Sequence, residues 1–278
     1  MRSIALMNQK GGVGKTTTTL SLGAALAEAG QRVALIDLDP QAHLTLNLGL
    51  PISGETESIY EVLIDSLPLE RVARTVGGMT VVPASVHLAG AEIELVSAIG
   101  RETILKDRLE EWKAEFDYLL LDCPPSLGLL SLNGLAAAGE VLIPMNPHFL
   151  ALQGVARLVD TVERISRRLN PTLRVSGFIL TMFDGQARLS NEIVGELEEF
   201  VSEARGQNRP WSGARVFATR IRRNIKLAEC PGFGKSIFEY DGQSNGAADY
   251  RALAAEVLSM ASPAEVRGPV PGNEAGVA

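Results

Sequence analysis

The residues KGGVGKTT at positions 10–17 stand between a short apolar run at 3–8 and a stretch at 16–29 whose apolar residues recur at helical spacing until Gly30 ends it. A strand that passes through glycines directly into a helix can fold in few ways. The backbone N–H groups of such a loop converge on one centre and the helix N-terminus adds partial positive charge, so the loop is shaped for phosphate. In the pattern G-x-x-x-x-G-K-[ST], Lys15 supplies a full charge to the β and γ phosphates and the Thr16 hydroxyl is placed to hold Mg²⁺. The chain departs from that pattern at one end. The first glycine belongs at position 9, where the chain has Gln9, and Gly11 and Gly12 follow a second lysine, Lys10.

The rest of the chain repeats the strand-then-helix order. Apolar runs at 32–37, 79–82, 118–122, 140–145 and 175–181 read as buried strands, and helical periodicity appears at 58–64, 103–112, 151–169, 191–204 and 247–260. The alternation predicts an α/β fold, a mostly parallel twisted sheet with helices on both faces and ligand loops at the carboxyl ends of its strands. Residues 1–262 are expected to form one domain. The Pro-, Gly- and Ala-rich residues 263–278 have little to bury and are expected to be disordered. No apolar run reaches the roughly 18 residues that span a bilayer, and the chain starts in a strand pattern with no leader, so a cytoplasmic protein without an N-terminal DNA-reading helix-turn-helix is expected. Cys123 and Cys230 have no C-x-x-C partner, and His43, His87 and His148 sit at no metal-ligand spacing; the histidines read as surface or loop residues.

Two carboxylate-bearing strand ends support the phosphate reading. LLLD ends a hydrophobic run on Asp122, as a hydrated Mg²⁺ opposite the threonine requires. The run at 32–37 continues into DLDPQ and brings Asp37 and Asp39 beside the loop, where one carboxylate could position an attacking water or join the metal shell and the other cap the turn before Pro40.

KGGVGKTT, DLDPQ, LLLDCPPSLG, PHFLALQGV and RNIKLAECPGFGKSI, in this order over roughly 1–260, resemble the ParA/Soj family of partition ATPases, in the deviant P-loop class that also contains MinD. The resemblance implies ATP and Mg²⁺ as cofactors and a nucleotide-sandwich homodimer in which Lys10 reaches the partner's phosphates while Lys15 serves its own. A cation supplied in trans stabilises developing charge as an arginine finger does. Gly11 and Gly12 would allow close approach, with Val13, Gly14, Lys15, Thr16 and Thr17 completing the nucleotide loop. The family likeness assigns hydrolysis to Asp39, water-mediated Mg²⁺ contact to Asp122, a γ-phosphate-sensing switch to DCPPS, and adenine contacts to Met182, Arg222 and Asn224. Cys123 inside the switch reads as a small buried residue. Where relatives read I-P-R-N-V-R, this chain has Ile221, Arg222, Arg223, Asn224, Ile225 and Lys226; arginine for proline is expected to loosen that loop and enlarge a basic patch.

The formal net charge is −7, yet residues 204–228 hold Arg205, Arg209, Arg215, Arg220, Arg222, Arg223 and Lys226 with no Asp or Glu. Such a run suits the phosphate backbone of DNA without base reading. The family likeness implies non-specific DNA contact by the ATP dimer through Arg188 and Lys226, to which Arg220 and Arg223 add charge. It also implies a ParB-like partner that stimulates slow hydrolysis, and a chromosome, plasmid or protein cluster as cargo. The segment 89–101 is amphipathic in pattern and resembles a family helix near the dimer surface, with a plain core-facing helix as the simpler reading. The alternative, a MinD-like ATPase at a membrane surface, calls for a basic, aromatic-rich C-terminal helix, whereas residues 261–278 hold one arginine and no aromatic residue; no membrane partner is expected.

Overall fold

The computed structural model describes residues 1–148 and 151–260, and the tail reading for 263–278 falls outside them. Eight strands form one sheet: β1 (Arg2–Leu6), β2 (Val33–Asp37), β3 (Arg74–Val76), β4 (Met79–Val82), β5 (Tyr118–Asp122), β6 (Glu140–Met145), β7 (Arg174–Phe183) and β8 (Arg215–Arg222). Their order is β3-β4-β2-β5-β1-β6-β7-β8, and every pairing is parallel except β3 with β4. A parallel sheet is covered on both faces, which is why strands such as YLLLD read as unbroken apolar runs with all five residues buried.

Alternate residues of the central strands feed two cores. Ile4, Leu6, Leu35 and Leu120 pack with Leu22 and Leu26 of helix Lys15–Glu28 and with Leu253 and Val257 of helix Asn245–Ser259. Ala5, Ile36, Leu121 and Ile143 meet Leu130 and Leu135 of helix Leu129–Ala137 and Val155 and Leu158 of helix Ala151–Arg168. Each fully buried leucine contributes roughly 1.5–3 kcal/mol by leaving water. The register sets the ends of β1, β2 and β5 level, pairing Leu6 with Asp122 and Asp37 with Asp122, so the glycine loop and two carboxylates leave the sheet at one place.

The strands expected in the sequence are present, with ends shifted by up to two residues; β3 and β8 were not expected. β8 (RVFATRIR) lies inside the basic run, at the sheet edge, with only Phe217 and Ile221 buried among its exposed and half-buried positions. An edge strand carries its charges outward, so its apolar pattern is too sparse to read. The helix expected at 191–204 begins three residues earlier, at Arg188. Segment 89–101 forms helix Leu88–Glu94 and one further turn; Leu88, Ala91 and Leu95 are buried as expected, while Ile93, Val96 and Ile99 are exposed.

Candidate functional site

The glycine loop is held from below by side chains of neighbouring strands. Asn8 Oδ1 accepts from the Lys10 N–H at 3.0 Å, and Asn8 Nδ2 donates to the Pro144 carbonyl at 2.8 Å. Thr181 Oγ1 donates to the Val13 carbonyl at 2.8 Å. Gly12 and Gly14 have φ of 71° and 81°, the left-handed region where a side chain is strained, so both bends of the loop depend on glycine. Gly14 is the N-cap of helix Lys15–Glu28 and offers no side-chain cap, leaving the first-turn N–H groups for an anion.

The two lysines are placed oppositely. Lys15 is 7% exposed, and its Nζ donates back to the Lys10 carbonyl at 3.4 Å. Burial lowers its pKa, opposed by the charges of Asp122 and Asp39. Lys10 is exposed on the rim, where its Nζ hydrogen-bonds His148 Nε2, beside a cavity of about 210 Å³ lined by Asn8, Val13, Met145 and Asn146. His148 was read as an isolated loop residue; the fold brings it to the loop.

Behind the loop lie three carboxylates. Asp122 is fully buried; its Oδ1 accepts from Thr19 Oγ1 at 3.1 Å, Thr16 stands beside it, and its Oδ2 has no partner among the described residues. Burial and the charge of Asp37 raise its pKa. Asp37 is likewise raised by burial, although Thr45 donates to its Oδ2 from both N–H (2.9 Å) and Oγ1 (2.7 Å). Asp39 is 7% exposed, donates its N–H to Asp37 Oδ1 at 3.1 Å and accepts from the Gln41 N–H at 3.0 Å, so both aspartates support the turn before Pro40. A buried carboxylate oxygen without a donor, among like charges, is the environment a cation relieves. Among the described residues no group of three or more His, Cys, Asp or Glu side chains is placed to hold a metal ion by itself. These residues therefore fit a nucleoside triphosphate with its divalent ion. Cys123 is fully buried and its thiol is pushed well up, by burial first and then by Asp122, in keeping with a small core residue and not a nucleophile.

From Gly14 and Thr17 a second cavity of about 600 Å³ opens between the ends of β7 and β8, bringing together Met182, Arg222 and Asn224 with Ile221 and Tyr250. Met182 adopts φ 49°, unusual for a residue with a side chain. Asn224 Oδ1 caps helix Ile225–Glu229 through the Lys226 N–H at 2.8 Å. The fold gives Arg222 a partner that its neighbours in sequence do not announce. Asp249 accepts from the Arg222 backbone N–H and Nε at 3.0 Å and from Nη2 at 2.6 Å, which ties the loop to helix Asn245–Ser259 and offsets the charge.

Arg209, Arg220 and Lys226 of the run, and Arg188 before it, are also matched by acids from outside the run. Arg188 pairs with Glu192, Arg220 with Glu198 at 3.8 Å, Lys226 with Glu229 and Arg209 with Glu163 at 3.9 Å. Arg220 is further withdrawn over the Phe183 ring, whereas Arg205, Arg215 and Arg223 have no ion pair among the described residues. Sequence reasoning missed Thr19, Thr45, Asp249 and Tyr250. Only Thr19 carried a local signal, since it follows Thr16 by three positions on one helix.

A strand-loop-helix phosphate cradle with a buried and an exposed lysine, backed by carboxylates at level strand ends, defines a deviant P-loop nucleotide-binding protein. A family model described as AAA domain matches residues 1–175. The chain is 41% identical over 268 residues to the chromosome partitioning protein ParA of Myxococcus xanthus (96% of this chain, 91% of that protein). It is 43% identical over 258 residues to the sporulation initiation inhibitor protein Soj of Bacillus subtilis (92% and 98%). Among solved structures, cobyrinic acid a,c-diamide synthase from Mycobacterium smegmatis with bound ADP and magnesium matches at TM-score 0.77 and 36% identity, over 93% of this chain and 94% of that one. The chain belongs to the ParA/Soj family of chromosome-partitioning ATPases.

Proposed function

We propose that the protein binds ATP and Mg²⁺ in the glycine loop, pairs with a second copy across the two nucleotides, and in that state holds DNA without sequence preference. The observation that carries this reading is the opposite placement of the lysines: Lys15 is buried against its own carboxylates, while Lys10 stands on the exposed rim of the same loop. A cation on the rim is wasted on the chain's own nucleotide but faces whatever closes over the loop. Lys15 and the first-turn N–H groups hold the phosphates, Thr16 and Asp122 orient the hydrated ion, and Asp39 positions water for attack. The bound Mg²⁺ supplies charge neutralisation at the phosphate oxygens. Because ATP gains the second lysine only in the pair, it favours that state by its better binding there.

Arg188, Arg220, Arg223 and Lys226 form the DNA contact. The acids opposite Arg188, Arg223's neighbour Lys226 and Arg220 lie at the surface, where ion pairs are weak and readily exchanged for phosphate. Hydrolysis, slow alone and stimulated by a ParB-like protein, returns monomers and turns the cycle into segregation of a chromosome, plasmid or protein cluster. A cytoplasmic location, nucleoid-associated with ATP, follows from this reading. Among the described residues no helix is long and apolar enough to cross a membrane. The test is co-sedimentation with non-specific duplex and with anionic vesicles: ATP-dependent retention on duplex alone supports the reading, and retention on vesicles alone replaces it with the MinD-like one.

A further inference from the structure

The basic run at 204–228 does not stay together in the fold. β8 carries Arg222 to the cavity beside the glycine loop and leaves Arg215 at the opposite end of the sheet, the length of the strand, roughly 23 Å, away. There the loop before β8 meets the end of helix Ala151–Arg168. The Val175 N–H donates to the Pro210 carbonyl at 3.0 Å, Arg215 stands opposite Gly177 in the β7–β8 pairing, and Arg167 and Arg209 share Glu163. Around that carboxylate Arg164, Arg168, Arg174, Arg205 and Arg215 are all exposed and have no ion pair among the described residues. Neither 164–174 nor 204–215 contains an Asp or Glu, and Glu203 adds one carboxylate at the border of the second stretch. Cations in a last helical turn offset the helix dipole, which accounts for Arg167 and Arg168. It accounts for none of those on the loop and the two strand starts.

What this surface can hold follows from what it lacks. None of the exposed large apolar side chains among the described residues falls in 164–174 or 204–215, and Trp211, under the Arg209 guanidinium, is only 3% exposed. Protein interfaces are anchored by aromatic and aliphatic groups, and a membrane surface holds a protein firmly only when apolar groups enter it. Guanidinium groups alone suit a rigid row of phosphates, each of which needs only a point charge. We propose that this end of the molecule is a second contact for duplex DNA, separate from the one formed by Arg188, Arg220, Arg223 and Lys226 and present in a single copy of the chain without nucleotide. It lies at the far ends of the strands from the glycine loop, so pairing across two nucleotides neither builds it nor covers it. A pair that also holds DNA beside its nucleotides therefore bridges duplexes.

Fluorescence anisotropy of a labelled non-specific duplex, with no nucleotide present, tests this contact. Wild type is expected to bind at about 50 mM salt and to lose about a hundredfold in affinity by about 200 mM, as release of counterions from about four phosphates requires. Arg168→Glu with Arg215→Glu should lower the low-salt affinity at least about tenfold and reduce the log–log salt slope by about two. Arg168→Lys with Arg215→Lys keeps both point charges and should bind as wild type does. A second reversal, Arg174→Glu with Arg205→Glu, should repeat the loss, and wild-type ATP affinity in every variant reports an intact fold. No nucleotide-free binding by wild type, or an affinity that survives both reversals, refutes the second contact while the ATP-dependent one stands. Retention on anionic vesicles in place of duplex also refutes it. If nucleotide-free binding is found and ATP adds nothing to it, the pairing reading fails and this contact stands.

Discussion

At the glycine loop, the lysines and carboxylates are neighbours in sequence or sit at the level ends of adjacent strands; along β8, Arg220 and Arg222 meet acids from helices beyond their own strand, and Arg215 has no ion pair among the described residues. Lys15 belongs to the loop it closes over, and Asp37 and Asp122 face each other because β2 and β5 are in register. By contrast, Arg220 and Arg222 find Glu198 and Asp249, which lie 22 and 27 residues away in the chain. Charge chemistry written in consecutive residues survives folding as it reads, whereas a one-signed run is redefined by whatever packs beside it.

The comparison breaks most readily at the loop. Lys15→Ala is expected to lower ATP affinity at least about a hundredfold, since a buried charged contact to phosphate is lost. Equilibrium binding of a fluorescent ATP analogue checks it, and near-normal affinity would empty the loop of its assigned role. Asp39→Ala is expected to leave ATP binding intact and to cut steady-state phosphate release about a hundredfold or more.

Along β8 the expected effects are smaller and depend on pairing. Arg223→Glu, at a cation with no ion pair among the described residues, should weaken DNA binding about tenfold near 0.1 M salt and reduce the log–log salt slope by about one or two. Arg220→Ala, at a cation already withdrawn over Phe183, should change it less than about threefold. Equal losses at the two positions would show that the acids of the fold do not sort these charges.

The gentlest test concerns pH. Asp122 and Asp37 have pKa values raised above those of the unfolded chain, so the metal-free folded protein binds more protons than the unfolded one over that interval. Its stability should therefore fall as pH rises above about 4. Thermal melts without Mg²⁺ should show the decline, and Asp122→Asn should flatten it.

Much of the loop end was legible because each part carries its own signature. Glycines between an apolar run and a helical pattern announce the phosphate loop, LLLD and DLDPQ announce strand ends, and the motif order announces the family. The β8 end was not legible. RVFATRIR hides its strand because an edge buries only Phe217 and Ile221, and nothing near Arg222 in sequence announces Asp249. His148 was hidden for the same reason, since only the pairing of β6 with β1 brings the residues after Met145 to Lys10.

The central claim is that Lys10 serves a nucleotide held by another copy of the chain. Light scattering of Asp39→Ala with ATP and Mg²⁺, with and without Lys10→Ala, tests it most directly. The account predicts twice the monomer mass for Asp39→Ala, and monomer mass with unchanged ATP affinity once Lys10→Ala is added. A dimer that persists without Lys10, or an Asp39→Ala protein that stays monomeric with ATP bound, contradicts it.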